Sequence, residues 1–223
     1  MLSYQRIVEL SHVIHPGKEP RPFEVELVNP AEIDSRLHRE QGQWYVMGNL
    51  KYTTHVGTHL EAPFHCLRDG EDLAMIGAER LIGDAIVLEL LGLPFRHKIT
   101  LGEFQAAAAK AGGIKPGDIL LCHTEYSRYY GTSDYVRRPG FERDALEWMV
   151  AQGVKMMGVD MSGIETHEVP HNSHHTILFS HGIPLIESMT NLGALTKSRV
   201  MVFALPLAVE GLEAIPLRVI ALE

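Results

Sequence analysis

Within residues 54–65, Thr54-His55-Val56-Gly57-Thr58-His59-Leu60-Glu61-Ala62-Pro63-Phe64-His65, the chain places three histidines and one carboxylate. This run constrains the fold because the donors of a metal site must converge, with nitrogen and oxygen ligands ~2.0–2.2 Å from an ion such as zinc. His55 and His59 are four apart. In a flat strand that spacing would separate their backbones by about 13 Å, so the chain has to curl between them, and Gly57 supplies the freedom. His59 and Glu61, two apart, share a face only where the backbone is extended, and Pro63 keeps Ala62 out of the helical region.

The expectation is therefore a tight turn entering a short extended stretch, with His55, His59 and Glu61 pointing one way. That is a facial three-ligand arrangement with positions left open for water and substrate. His65, beyond Pro63, is either a fourth ligand or an unliganded imidazole placed to shuttle protons. An HxxxH pair alone is common on surface helices. Four donors in eleven residues, with Gly and Pro interrupting any regular helix, point instead to a site.

The rest of the chain reads as a scaffold for this stretch. Its 223 residues are enough for one α/β domain with a buried core, and no linker or repeat marks a boundary, so residues 1–223 are taken as a single domain. Hydrophobic residues at 45% and charged residues at 22% argue against disorder. A formal charge of −8 speaks against nucleic acid or an anionic membrane surface as the main partner. No apolar run approaches the ~20 residues of a membrane span, and Met1–Arg6 does not resemble a secretory leader. The protein is expected in the cytoplasm. The two cysteines make a weak case for a disulfide: Cys122 lies in an apolar run and reads as a buried thiol, and Cys66 is a poor ligand among harder donors.

Along the chain, strands are expected over 7–14, 23–28, 84–90, 118–122, 154–160, 184–187, 199–205 and 217–222, the second with one wet face. A short helix falls within 30–43. Thr100 with Glu103 fits a capping box opening a helix that stops at Gly112-Gly113. A second helix spans 142–152 and a short third about 174–181. Residues 125–140, rich in Tyr, Arg, Ser and Gly, form a long loop of the kind that carries function. Strands at both ends and alternation in the middle predict one α/β domain with mixed β-sheets and packed helices.

A second polar cluster lies near 167–187. Taken with it, the sequence resembles a known family. His55-x-Gly57-Thr58-His59-x-Glu61-x-Pro63-x-His65 is similar to the HxGTHxDxPxH signature of the metal-dependent cyclase-like hydrolases, of which bacterial kynurenine formamidase is the best understood. Glu9-Leu10-Ser11-His12, Gly158-Val159-Asp160 with Ser162, the segment 175–187, Ala204-Leu205-Pro206-Leu207 and the segment 211–218 resemble further conserved blocks of that family, so the likeness covers most of the chain.

The resemblance implies a swivelling β/β/α fold, a homodimer or homotetramer, and one or two divalent ions per subunit, zinc or manganese. It implies His55, His59, Glu61, His175 and Glu187 as metal ligands, with the acid bridging, and His65 as catalytic acid/base. His175 keeps the family distance to Glu187; His174 is the fallback, and His167 and His171 belong to a polar loop. Glu61 departs from the signature's Asp by one methylene, which bears on whether one ion or two is bound. Glu187, flanked by apolar residues after Pro184, reads as a buried carboxylate that needs a cation.

The implied activity is hydrolysis of a small-molecule amide of arylformamidase type, N-formylkynurenine giving formate and kynurenine, with metal-activated water and His65 moving the proton. A cyclic amide or lactone such as isatin is the nearest rival substrate. A metal-binding protein without turnover is the rival from another class. A dinucleotide enzyme is set aside for want of a GxGxxG. Tyr4, Phe23, Trp44, Phe64 and the Tyr126–Tyr135 loop are the candidates for an aromatic wall.

Overall fold

The computed structural model describes residues 4–170 and 172–223. The chain opens with β1 (Ile7–Glu9), then β2 (Phe23–Val28), the one-turn helix α1 (Pro30–Ile33), β3 (Met47–Tyr52) and β4 (His59–Glu61). α2 (Ala78–Leu81) leads directly into β5 (Ile82–Glu89), followed by β6 (Lys98–Ile99), α3 (Leu101–Lys110), β7 (Ile119–His123), β8 (Gly140–Phe141), α4 (Arg143–Ala151) and β9 (Met156–Val159). The last third holds α5 (His175–Phe179), β10 (Leu185–Glu187), β11 (Arg199–Ala204), β12 (Ala214–Pro216) and β13 (Val219–Leu222).

Nine strands make one mixed sheet in the order β1-β13-β11-β5-β7-β9-β10-β4-β12. Its centre, β5-β7-β9-β10, is parallel, and α3 and α4 supply the crossovers that parallel neighbours require. The flanks are antiparallel, with β11 on β5 at one side and β4 on β10 at the other. Alternation along β5 separates two cores. Ile86 and Leu88 pack with Phe104, Leu146 and Met149 beneath the helices. Ala85 and Val87 face the opposite way, into a core shared with Leu10, Leu60, Ile186 and Ile215. The sheet curls so that its ends approach: Ser11 bridges Met189, and the Leu10 carbonyl accepts from Thr190 N at 3.0 Å. This curl brings β4 and the segment after β1 to one side of the parallel centre.

Local signals held where they were strongest. Thr100 Oγ1 accepts from Glu103 N at 3.3 Å and the Glu103 carboxylate accepts from Thr100 N at 2.8 Å, the reciprocal cap expected for α3. Gly112 and Gly113 stop that helix with φ of +100° and +83°. Two expectations need correction. Only Ile7–Glu9 of the stretch 7–14 forms a regular strand, because the chain then leaves the sheet and runs beside the site. β2 pairs with β3 in a separate two-stranded sheet, and both faces are largely open: Val25, Leu27 and Leu50 are 44%, 58% and 59% exposed. Both cysteines are free thiols.

Candidate metal centre and active site

β4 lies between β10 and β12, and its register assembles the site. His59 sits directly opposite Glu187 across the β4–β10 pair, and Glu61 follows on the same face two residues later. The curl expected before this strand is present. Gly57 adopts φ +62°, and a Cβ there would lie 2.9 Å from Ile14 Cγ1. That turn returns His55 to the face carrying His59 and Glu61. Ala62 is extended (φ −91°, ψ 159°), and Pro63–His65 then forms one 3-10 turn that lifts His65 beside the other rings. Gly57→Ala combines left-handed strain of about 1–2 kcal/mol with the Ile14 clash. The expected outcome is a lower melting temperature together with loss of bound metal, read by thermal melting and elemental analysis.

α5 packs on this side of the sheet through Leu178 and Phe179, in the core that also holds Leu185, and brings His175 over the same face. Its Nε2 is 3.1 Å from Glu61 Oε2 and 3.2 Å from Glu187 Oε1. Glu61 Oε1 is 2.7 Å from His55 Nδ1 and 3.3 Å from His59 Nε2. The two oxygens of this one carboxylate thus face two different histidine groups. His55, His59 and Glu61 form one cluster able to hold an ion, and Glu61, His175 and Glu187 form another. His55, His65 and Glu213 form a third.

The electrostatics fit a divalent cation. Glu61, Glu165 and Glu187 are all buried within this small volume. Glu61 Oε2 is buried and accepts no hydrogen bond among the described residues. His175 Nε2 lies 3.1 Å from it, outside hydrogen-bonding geometry. Burial would push the Glu61 carboxyl up, but the imidazoles of His175, His55 and His59 around it outweigh that and hold the group well below the usual carboxylate range. Burial likewise opposes ionisation of Glu165, and the His175 contact overcomes it, bringing Glu165 down to about 2. An orphaned carboxylate oxygen among neutral-capable imidazoles is the donor set a hard or borderline divalent ion takes. The Cys66 thiol, pushed up to about 11 chiefly by burial, is a poor thiolate ligand, in line with its exclusion from the ligand set.

His65 is half-buried. Its ring centroid lies 4.5 Å from that of His55 and 6.1 Å from that of His175. Burial pushes its imidazole below the ordinary histidine value. A cavity of about 740 Å³ opens onto these residues, with Tyr130, Tyr135, Val136 and Val169 among its lining. Of the aromatic candidates only Tyr130 and Tyr135 line it; Tyr4, Phe23, Trp44, Phe64 and Tyr126 do not. Tyr130 also ties the segment after β1 to the cavity rim, stacking on His12 at 4.0 Å and donating to Glu19 at 2.6 Å.

All six residues singled out from the sequence are brought together: His55, His59, Glu61, His65, His175 and Glu187. His175 rather than His174 takes part. His174 is buried with its Nδ1 unpartnered among the described residues, outside the clusters. His167 approaches the Arg138 carbonyl at the cavity edge at 2.9 Å, and His171 lies outside the described residues. His123 packs beside Gly193 instead of entering the site. Two acids escaped the sequence reading. Glu165 contacts His175 Nδ1, and Glu213 accepts from Thr54 Oγ1 at 2.5 Å while lying 3.4 Å from His55 Nε2. Glu165 opens the donor-rich stretch 165–175 and Glu213 follows Glu210, but spacing alone does not say which histidine ring either acid will meet.

The family model described as "Putative cyclase" matches residues 8–166. The chain belongs to this cyclase family. Kynurenine formamidase of Erythrobacter litoralis is 26% identical over 209 residues, spanning 93% of this chain and 89% of that protein. Kynurenine formamidase of Bacillus anthracis is 23% identical over 205 residues, spanning 92% and 88%. Among solved structures, isatin hydrolase A from Ralstonia solanacearum superposes with a TM-score of 0.84 at 23% identity, covering 97% of this chain and 91% of that one. Isatin hydrolase A from Labrenzia aggregata gives 0.81 at 22% identity, covering 97% and 93%. The fold is therefore that of the cyclase-like proteins. No helix among the described residues is long and apolar enough to cross a membrane.

Proposed function

We propose that the protein is a metal-dependent amide hydrolase of arylformamidase type, acting on N-formylkynurenine to yield formate and kynurenine in the cytoplasm. The observation that carries this reading is Glu61, whose two oxygens face His55 with His59 on one side and His175 on the other, beside an imidazole, His65, that pairs with no carboxylate among the described residues. His55, His59 and Glu61 would hold one divalent ion, and Glu61, His175 and Glu187 a second. The longer Glu61 spans both groups, which supports two ions. The kynurenine formamidase relatives support the acyl group, and Tyr130, Tyr135, Val136 and Val169 offer an apolar wall for an aryl ring. Exposed Val25, Leu27 and Leu50 support a homodimer or homotetramer.

A divalent ion at this site supplies carbonyl polarisation and a water whose pKa is brought toward ~7. His65 accepts the proton of the attacking water as the C–O bond forms, then delivers it to the nitrogen as the C–N bond breaks. Its lowered pKa leaves the ring neutral and able to accept. Tyr130 and the segment it clips close one side of the cavity and restrict solvent.

The test is elemental analysis of purified protein, followed by an absorbance assay with zinc or manganese on N-formylkynurenine and, in parallel, on isatin. Bound metal and turnover of the formamide are expected. Turnover of isatin alone would overturn the formamide assignment and keep the hydrolase; a fully metallated protein inert on both favours the non-catalytic reading.

A further inference from the structure

The three histidines proposed as ligands differ in what holds the ring nitrogen that faces away from Glu61: His55 presents Nδ1 to Glu61, and its Nε2 lies 3.4 Å from Glu213. His59 presents Nε2 to Glu61, and its Nδ1 meets the Gly57 carbonyl at 2.9 Å. His175 presents Nε2 to Glu61 and Glu187, and its Nδ1 meets the Glu165 carboxylate. An imidazole that donates from Nδ1 has its lone pair on Nε2, the only tautomer that can ligate from that side.

Glu165 is itself built into place. Its Oε1 also accepts from His174 N at 3.3 Å and His175 N at 3.2 Å, joining the carboxylate to the start of α5. Its backbone carbonyl accepts from Arg138 Nη1 at 2.6 Å, and Arg138 Nε holds the Ser162 carbonyl at 2.7 Å. Phe141 N donates to the Ile164 carbonyl at 2.9 Å, and the chain comes so close to β8 that a Cβ on Gly140 would lie 2.1 Å from the Glu165 oxygen. Arg138 and Gly140 thus fix the acid that fixes the histidine.

We infer that Glu165 is a positioning residue of the metal centre: it locks His175 in the Nδ1–H tautomer with Nε2 aimed at Glu61 and Glu187, and its charge strengthens His175 as a ligand. The inference rests on the metal-centre reading above. Glu165 reaches the site through His175 and touches neither Glu61 nor Glu187 in the hydrogen-bond pattern.

Zinc affinity of the full chain, measured by competition with a chromophoric chelator, tests it in wild type, E165A, E165Q, H175A and E165A/H175A. E165A should weaken the zinc site containing His175 by about 10–100-fold, the usual cost of removing a carboxylate behind a ligating histidine. E165Q keeps an acceptor but not the charge and should lose less. In the H175A background, E165A should cost no more than twofold, because the ring it positions is gone. Wild-type affinity in E165A, or the same loss with and without His175, overturns the inference. Should E165A fail to fold by circular dichroism, E165Q decides: binding equal to wild type overturns the proposal, weaker binding supports it. A wild-type protein that takes up no zinc overturns the metal-centre reading first, and that result is distinct from zinc binding that ignores Glu165.

Discussion

Glu61→Ala is expected to purify without stoichiometric metal and to hydrolyse nothing above background. Glu61 belongs to two of the three ion-holding clusters, so its removal deletes a donor from both at once. It also leaves His55, His59 and His175 around a vacated, buried position. Breaking one partner out of a buried ionic group costs about 3–5 kcal/mol, so the metal-free protein should melt earlier as well. Glu61→Gln separates shape from charge. It keeps the volume and one acceptor oxygen, and it should retain most of the fold while still losing metal. Elemental analysis with a thermal melt of both variants checks this. Full metal content in Glu61→Gln would mean that the carboxylate charge is not what holds the ion.

The second large effect falls on His65. His65→Ala should lower kcat by about 10²–10⁴, the range for loss of a general acid/base, with metal content and melting temperature close to wild type. Its ring is only half-buried and makes no hydrogen bond among the described residues, so truncation leaves no stranded polar partner. The competing arrangement is the cluster of His55, His65 and Glu213, in which His65 would ligate. Metal lost along with turnover in His65→Ala would establish that arrangement instead. Measuring zinc and kcat on the same preparation discriminates the two.

These effects concern residues that the sequence already crowded together, and the reason they were legible is local. From His55 to His65 the backbone path is dictated by Gly57 and Pro63. The turn, the extended stretch and the lifted imidazole each follow from torsional preferences of one or two residues. The cap at Thr100 and the buried run of β7 were legible for the same reason, since capping and continuous burial are properties of a short window. The hairpin partner β3 was not legible. Met47–Tyr52 alternates weakly, and its pairing is set by β2, some twenty residues earlier.

The second half of the site came from a different source. His175 and Glu187 were assigned through family spacing, and the chain alone left His174 and His175 equal. What separates them is the start of α5: the first helical residue turns its ring toward Glu187 while its neighbour turns away. Glu165 and Glu213 were not marked for a related reason, as nothing in their short-range pattern says which histidine each will meet. Their roles exist only because a curled sheet and a glycine-backed loop bring them to a histidine ring.

By itself, then, the sequence determined the donor types and local backbone path of the stretch 54–65 and the class of fold that carries it, because both depend on residue type and short-range backbone geometry. The tertiary structure decided which distant groups complete that chemistry. Donor atoms must meet within a few ångströms, and only strand register across β10-β4-β12 and the placement of α5 set distances that small between residues more than a hundred positions apart.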